Sequence, residues 1–313
     1  MGDYSIRVIE KIIVLFIAMI AGYIAKKGKL LNGESTKSLS SLLVYITNPC
    51  LIICSLQREY DNKLLITAGC VFALSVAVHG FLAIISHFIF KPVKSRSERS
   101  VYTYALTYSN CGYMGFPLMM AIFKEDPQLG LFYGVIFTTA FNLFTWTHGV
   151  IVMSNDKQGK LPWKKLIYNP ALISVIISMI LFLGRIMLPT TVNDGLTLVG
   201  DMTFPLSMII IGSLLADMKL LKILTQPKLY LFSALGLLVI PAIMLVVAKI
   251  LNLPEYLSIV GITMCAAPVA ANTAVTAEVY DNDSALAARL VGITTLFCLA
   301  TMPFMLWIAE KVL

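Results

Sequence analysis

The hydrophobic residues of this chain fall into ten runs separated by short polar segments. A membrane-spanning helix needs about 20 mostly apolar residues. On that criterion the predicted helices 1 to 10 cover, in order, residues 6–25, 38–57, 64–90, 100–123, 129–153, 168–188, 195–217, 228–250, 256–280 and 284–310. Asp283 is the predicted N-cap of the tenth helix. The pattern therefore predicts an all-α integral membrane protein with ten transmembrane helices.

The fourth and ninth runs contain residues that a continuous helix avoids. The fourth includes Ser109-Asn110-Cys111-Gly112-Tyr113-Met114-Gly115-Phe116-Pro117, and the ninth includes Cys265-Ala266-Ala267-Pro268-Val269-Ala270-Ala271-Asn272-Thr273. Proline removes a backbone donor and glycine weakens a helix, so both helices are expected to open there. Opened backbone at membrane depth is tolerated only where protein buries it or where it lines a cavity. Paired breaks in corresponding halves of a chain predict the binding site of a transporter.

Most of the 24 lysines and arginines follow odd-numbered predicted helices. They are Lys26, Lys27, Lys29 and Lys37, then Lys91, Lys94, Arg96 and Arg99, then Lys157, Lys160, Lys164 and Lys165, then Lys219, Lys222 and Lys228, and finally Arg289. Because positive residues mark cytoplasmic loops, this alternation predicts a multi-pass plasma-membrane protein with both termini extracellular.

Five helices in each half give the two halves opposite orientations, which is the condition for an inverted repeat. The predicted repeats are residues 1–153 and 154–313. Thr47-Asn48-Pro49 in helix 2 and Thr203-Phe204-Pro205 in helix 7 are matching landmarks. The fold class expected is therefore a 5+5 inverted repeat with broken helices 4 and 9 crossing each other.

Composition supports the membrane assignment and excludes several other classes. The chain is 58% hydrophobic and 13% charged, whereas soluble domains carry about 25% charged residues. The net charge of +7 follows from the positive loops, so no nucleic-acid partner is expected. The cysteines Cys50, Cys54, Cys70, Cys111, Cys265 and Cys298 lie in apolar runs without metal-ligand spacing, so neither a metal nor a cofactor is predicted.

An intramembrane enzyme is the main rival from another class. Presenilin-like aspartyl proteases need a Tyr-Asp followed later by a Gly-x-Gly-Asp, and this chain has Gly200-Asp201 before Tyr280-Asp281, in the reverse order. No HExxH or GxSxG motif occurs. The sequence therefore predicts that the protein is not an enzyme.

The residues of both breaks resemble those of the auxin efflux carrier family, which includes plant PIN exporters and bacterial organic-acid permeases. The matching pieces are residues 109–118, Pro268-Val269-Ala270-Ala271-Asn272, Asn48-Pro49, and the stretch Ala277-Glu278-Val279-Tyr280-Asp281 with Thr294-Thr295 and Pro303. The resemblance spans the whole chain, although the long cytoplasmic loop of plant exporters is absent.

The resemblance implies two domains. Helices 1, 2, 6 and 7 would form a scaffold, and helices 3–5 and 8–10 a transport domain that slides against it in an elevator-like motion. It also implies a homodimer through helices 2 and 7, for which the apolar run Met208-Ile209-Ile210-Ile211 is a candidate face.

A broken helix presents free N–H groups and a positive dipole end at the membrane centre, which favours an anion. The substrate expected is a small organic anion, an auxin-like carboxylate or a dicarboxylate. Its predicted binding residues are Asn48, Asn110, Cys111, Gly112, Gly115, Pro117, Pro268, Asn272 and Thr273. The alternative is that Asn110 and Asn272 only satisfy the opened backbone.

Glu278 and His148 are candidate coupling residues, because ionisable groups in membrane segments can be functional. The alternative is that His148 is a satisfied core or interfacial histidine and Glu278 an interfacial charge. His79 and His87 are weaker candidates on the third helix. Two other mechanisms remain open on the sequence. One is a sodium-coupled transporter of the related bile-acid-transporter fold, and the other is a passive channel.

Overall fold

A computed structural model describes residues 3–154, 167–218 and 225–313. Within these ranges every regular element is a helix. We number the helices α1 to α10 and divide the two interrupted ones into parts a and b. Their bounds are α1 Asp3–Lys27, α2 Gly33–Ser55, α3 Asn62–Ile89, α4a Arg96–Thr107, α4b Gly115–Ile122, α5 Pro127–Met153, α6 Pro170–Leu183, α7 Thr190–Ala216, α8 Pro227–Ile250, α9a Glu255–Cys265, α9b Asn272–Val279 and α10 Ser284–Val312.

In the described ranges, seven helices are long and apolar enough to span a membrane, namely α1, α2, α3, α5, α7, α8 and α10. Helices α6 and α9a are apolar but shorter. The predicted all-helical class and membrane-spanning character are therefore confirmed. The predicted loop residues Lys157, Lys160, Lys164, Lys165, Lys219 and Lys222 lie outside the described residues.

Polar N-caps fix where many of these helices begin. The side chains of Asp61, Ser95, Asn169 and Asp283 accept hydrogen bonds from backbone N–H groups in the first turns of α3, α4a, α6 and α10. Each such cap satisfies a donor that has no partner inside the helix. The cap predicted at Asp283 is confirmed by a distance of 2.7 Å from the Leu286 N–H to its Oδ1.

Helix α1 packs closely along the second half of α7. Gly22 of α1 faces the backbone of Ile209, and Gly212 of α7 faces the backbone of Met19, so any Cβ at either glycine would clash. Small residues allow this close approach of membrane helices. The packing also corrects one expectation. Met208, Ile210 and Ile211 are almost fully buried within the protomer, so the run 208–211 is not a free dimer face.

Three helices contain a wide turn in which the hydrogen bonds run from residue i to i−5. These turns are Leu43–Thr47 in α2, Thr145–Gly149 in α5 and Leu235–Val239 in α8. Such turns are rare and often occur at functional sites. The first lies directly before Asn48 and the second contains His148, so two candidate residues sit at irregular backbone.

Candidate functional site

The structure interrupts α4 and α9 at the positions that the sequence predicts. Helix α4a ends at Thr107 and α4b begins at Gly115. Helix α9a ends at Cys265 and α9b begins at Asn272. We call residues 108–114 the first break and residues 266–271 the second break.

The two breaks cross each other as a short antiparallel pair. Ser109 and Val269 form an isolated β-bridge. The Asn110 N–H donates to the Pro268 carbonyl at 2.6 Å, and the Ala270 N–H donates to the Tyr108 carbonyl at 3.1 Å. This exchange satisfies one donor of each break and fixes the two segments relative to each other.

Two hydroxyl groups that the sequence analysis did not select hold the crossing in place. Ser109 Oγ donates to the Met264 carbonyl at 2.9 Å. Thr294 Oγ1, on α10, accepts from the Val269 N–H at 3.1 Å and donates to the Leu290 carbonyl at 2.7 Å. The sequence carries no signal for these two hydroxyls, because Ser and Thr residues are common in membrane helices. Their role becomes visible only when the crossing brings them to the opened backbone.

The helices that resume after the breaks start without a side-chain cap. Met114 precedes α4b and Ala271 precedes α9b, and neither accepts a hydrogen bond through its side chain. In the described ranges no backbone carbonyl accepts from the N–H groups of Cys111, Gly112 and Tyr113. Successive open N–H groups and helix N-termini attract anions.

The side chains of the two predicted asparagines differ in exposure but share one property. Asn110 is only 4% exposed, whereas Asn272 is exposed at the first position of α9b. Neither side-chain amide makes a hydrogen bond with a described residue. No hydrogen bond among the described residues therefore supports the alternative that these amides satisfy the opened backbone.

Thr273 offers a further unpaired polar group at the start of α9b. Its side chain is fully buried, and its Oγ1 has no hydrogen-bond partner among the described residues. A buried polar atom without a partner is costly and calls for an explanation, although in the described ranges the hydroxyls of Thr145, Thr203, Thr263 and Thr295 are unpaired as well. A ligand oxygen at the end of α9b would supply the missing partner.

The remaining residues predicted in the breaks have different roles. Cys111, Pro117 and Pro268 are buried among other side chains. A Cβ at Gly115 would lie 2.8 Å from the Met264 sulfur, so this glycine allows α4b and α9a to pack closely. A Cβ at Gly112 would meet nothing closer than 4.0 Å, so its surface has room for another group.

The other three candidates lie at different distances from the crossing. His148 reaches it, because its Nδ1 lies 2.9 Å from the hydroxyl of Tyr108, the first residue of the first break. Asn48 is half-buried in α2, and Tyr113 of the first break packs against an apolar cluster that includes Leu43 of α2. Glu278 is exposed, one residue before the end of α9b, and has no ion-pair partner among the described residues.

Polar contacts gather at the end of the molecule that carries both chain termini, which we call the terminal face. Arg58, which follows α2, forms a two-pronged ion pair with Asp126, one prong measuring 3.0 Å. The hydrogen bond from Arg58 lowers the pKa of Asp126 below its ordinary value. Glu310 of α10 accepts from the Tyr4 backbone N–H and from Ser5 Oγ, and Tyr4 also donates to Glu255 at 2.8 Å.

Comparisons with known proteins agree with this architecture. A family model described as "Membrane transport protein" matches residues 7–306, nearly the whole chain. A protein of Methanocaldococcus jannaschii, named as an uncharacterized transporter, is 23% identical over 312 residues. The match covers 96% of this chain and 98% of that protein. The resemblance inferred from the residues of the two breaks is thereby confirmed.

Proposed function

We propose, starting from the fact that the chain belongs to the membrane transport protein family, that it is a secondary transporter of small organic anions. The observation that carries this proposal is the crossing of the two breaks. Uncapped helix starts follow both breaks, and Asn110, Asn272 and Thr273, in or next to the breaks, carry side-chain polar groups without a described partner. These are hydrogen-bond donors without a fixed positive charge, a combination suited to a carboxylate.

The substrate in this proposal lies against the crossing. Asn110 and Asn272 donate from their amides, Thr273 from its hydroxyl, and the open N–H groups of the first break complete the donor set. The room beside Gly112 accommodates part of the ligand. Asn48 would approach from α2, while Cys111, Gly115, Pro117 and Pro268 shape the breaks behind the ligand.

We further propose that α1 to α10 are ten membrane crossings arranged as a 5+5 inverted repeat, with residues 1–153 and 154–313 as the two halves. The antiparallel crossing of the breaks supports this arrangement, because each half supplies one break in an equivalent place. The assignment of α1, α2, α6 and α7 to a scaffold is supported by the packing of α1 on α7 and of α2 on both α6 and α7.

An elevator motion would slide the remaining helices past this scaffold. The contacts of the terminal face support such a motion, because among the described residues the side-chain ion pairs and hydrogen bonds set out above between the two groups lie at this end, whereas apolar packing of Gly292 on Leu215 joins them at the other. Arg58 and Tyr4 belong to the scaffold side, and Asp126, Glu255 and Glu310 belong to the other. At the opposite end, Lys26 pairs with Asp217 inside the scaffold group at 3.0 Å. There Ser97 accepts from the Asp283 N–H inside the other group at 2.7 Å.

This pattern corresponds to a state closed at the terminal face. If both termini are extracellular, as the charge pattern predicts, the state faces the cytoplasm. The ion pair Arg58–Asp126 must then separate when the site opens to the outside.

A homodimer through α2 and α7 remains part of the proposal, with a corrected face. The run 208–211 is buried, but Tyr45 and Ile46 of α2 and Leu198 and Met202 of α7 are exposed apolar residues. Native mass spectrometry in mild detergents should detect the dimer, and Tyr45→Ala combined with Leu198→Ala should weaken it. A monomer under all these conditions would contradict the assignment.

The proposed function is tested with purified protein and a panel of acetate, benzoate, indole-3-acetate, succinate and malate. A ligand that binds the native state raises the melting temperature, and the rise grows with the ratio of ligand concentration to Kd. Ligands that do so should also enter proteoliposomes containing the protein, and replacing sodium by choline should leave uptake unchanged. Loss of uptake in choline would favour the sodium-coupled alternative. If no member of the panel shifts the melting temperature or is taken up, the proposal of an organic-anion substrate is contradicted.

A further inference from the structure

His79 is a buried histidine on α3 that the proposed substrate site does not use. Its side chain is 2% exposed. The ring Nδ1 lies 2.8 Å from the Ser75 carbonyl, and Ser75 Oγ donates to the Phe137 carbonyl at 2.6 Å. Since a carbonyl only accepts, Nδ1 carries the hydrogen of the neutral ring and Nε2 is left as the acceptor.

The ring of His79 lines a small cavity directly behind the crossing. The water-accessible volume of this cavity is about 20 Å³, enough for about one water molecule. Its polar lining comes from His79, Thr107, Ser109 and Thr294. Nε2 makes no hydrogen bond with a described residue, so it is the ring atom with a free acceptor position. All lining residues come from α3, α4a, the two breaks, α5, α8, α9a and α10, none of them scaffold helices.

Aromatic rings surround His79 on its other sides. The ring centroids of Phe137, Phe141 and Phe144 lie 5.5, 5.7 and 5.9 Å from that of His79. Tyr108 stacks on it at 6.4 Å. A cation within about 6 Å of an aromatic ring is attracted by the ring. The rings attract an imidazolium only weakly, and the pocket contains no carboxylate, so a charge on His79 is disfavoured until an anion is bound.

The titratable neighbours of His79 are few and uncharged in their ordinary states. Cys265 of α9a lines the same cavity, and Tyr108 separates His79 from His148, which bonds to the Tyr108 hydroxyl. Tyr104 of α4a packs on Tyr108 with a centroid distance of 4.5 Å. No Asp, Glu, Lys or Arg is among the residues that line the cavity. A charge on His79 would thus be balanced only by a group that arrives with it.

We propose that His79 is a proton-binding site and that its proton travels together with the organic anion at the crossing. The inference rests on the proposed function. A proton from water binds Nε2 when the anion is bound, and the opposite charges attract across a medium of low dielectric constant. Release of the anion leaves the imidazolium unbalanced, and the proton returns to water. Tyr108 links the two sites, because its ring stacks on His79 and its carbonyl holds Ala270 of the second break.

The first test measures accumulation of the carboxylate panel in proteoliposomes under an imposed pH gradient, with the membrane potential clamped at zero. For a monocarboxylate carried with one proton, the accumulation ratio should rise about tenfold per pH unit, since one unit corresponds to about 1.36 kcal/mol. The ratios of the wild type and the variants are taken early and after subtraction of protein-free liposomes, because the neutral forms of weak acids cross bilayers unaided. His79→Gln keeps a polar side chain but cannot titrate, so its ratio should be about 1. His87→Gln, an exposed position on the same helix, is the control and should behave as the wild type.

Two results of this experiment would overturn the inference. One is a His79→Gln ratio equal to that of the wild type. The other is loss of gradient-driven accumulation in His148→Gln alone, which would assign coupling to His148. Absence of transport of every panel member by the wild type would instead count against the proposed function, and a second measurement then decides the role of His79.

That second measurement is a nitrogen-15 NMR titration of histidine-labelled, full-length protein in nanodiscs from pH 8 to pH 5. Single His→Gln variants assign the three histidines. Without a carboxylate, His79 should stay neutral with Nδ1 protonated down to pH 5, because burial disfavours the charged ring. Saturating benzoate or succinate should bring proton uptake at Nε2 into this range. An Nε2 that stays unprotonated at pH 5, with and without the carboxylates, would overturn the inference irrespective of transport.

Discussion

The two breaks occupy equivalent places in the two halves of the chain, yet they are built differently. In the first, the backbone of Asn110 takes part in the crossing, because its N–H bonds to Pro268 and its carbonyl accepts from Met114 and Gly115. Its side chain is buried. In the second, Asn272 lies beyond the crossing as the exposed first residue of α9b. The two asparagines are therefore not interchangeable, although the sequence presents them as a pair.

This difference separates a structural from a binding contribution. The Asn110 backbone holds the first break together through bonds that any residue could make, while its amide is unpaired. Asn272 contributes only an unpaired amide. Substitutions that keep the backbone and remove the amide should therefore affect ligand binding at both positions and stability at neither.

The largest effect is expected for Asn110→Ala and Asn272→Ala. Each removes a hydrogen bond to a charged ligand, worth roughly 1.5–3 kcal/mol, which corresponds to roughly a 10- to 150-fold loss in affinity. The melting temperature of the ligand-free protein should change little, because neither amide bonds to a described residue. Titration calorimetry and melting curves with the best panel ligand measure both quantities.

Asn32→Ala is the matched control for this pair. Asn32 caps α2, and its Oδ1 accepts from the Ser35 N–H at 2.7 Å. Losing such a cap costs about 1 kcal/mol, so this variant should melt earlier and bind normally. If Asn110→Ala and Asn272→Ala behave in the same way as Asn32→Ala, the amides are structural and the site assignment is wrong.

Two glycines, Gly112 in the first break and Gly115 at the start of α4b, sharpen the same comparison. Gly115→Ala places a methyl group against the Met264 sulfur, and overpacking of this kind costs roughly 1–3 kcal/mol. Gly112→Ala enters open space, so its stability should be unchanged while ligand binding weakens. Thermal unfolding and ligand titration of both variants test this division. Normal binding by Gly112→Ala would place the ligand elsewhere.

Two threonines extend the comparison to the second break. Thr294→Val leaves the buried Val269 N–H without its acceptor, at a cost of roughly 1–3 kcal/mol in stability. Thr273→Val removes a hydroxyl that already has no partner, so the ligand-free protein should be no less stable. Its affinity should fall roughly 2- to 12-fold, from the loss of about 0.5–1.5 kcal/mol. Both variants are nearly isosteric with the wild type. Equal losses of stability in the two would show that the Thr273 hydroxyl stabilises the ligand-free protein and does not serve to bind a ligand.

The sequence predicted the positions of the breaks because proline and glycine act on the backbone wherever they occur. It did not predict the roles of Ser109 and Thr294, and it ranked His79 below His148, since the roles of these residues depend on which segments meet in space. The prediction for the run 208–211 was wrong for a related reason. An apolar run does not reveal whether it faces lipid, a second copy or another helix, and here the close approach at Gly22 and Gly212 decides in favour of α1.

The smallest effect is expected at the terminal face, where Arg58 pairs with Asp126. Because Arg58 lowers the pKa of Asp126, the pair stabilises the folded state above the ordinary Asp value of about 3.9. That contribution is lost as the pH falls further, through the lowered pKa of the folded state.

The Asp126 side chain is 41% exposed, so the pair contributes at most about 1 kcal/mol. Asp126→Asn should therefore shift the balance towards the state open at this face by no more than roughly fivefold. Cysteine accessibility at position 57, measured with an impermeant reagent, reports this balance. Asp61→Asn, an acidic neighbour that caps α3 instead of pairing with Arg58, is the control. Equal accessibility in Asp126→Asn and the wild type would show that the ion pair does not hold the terminal face closed.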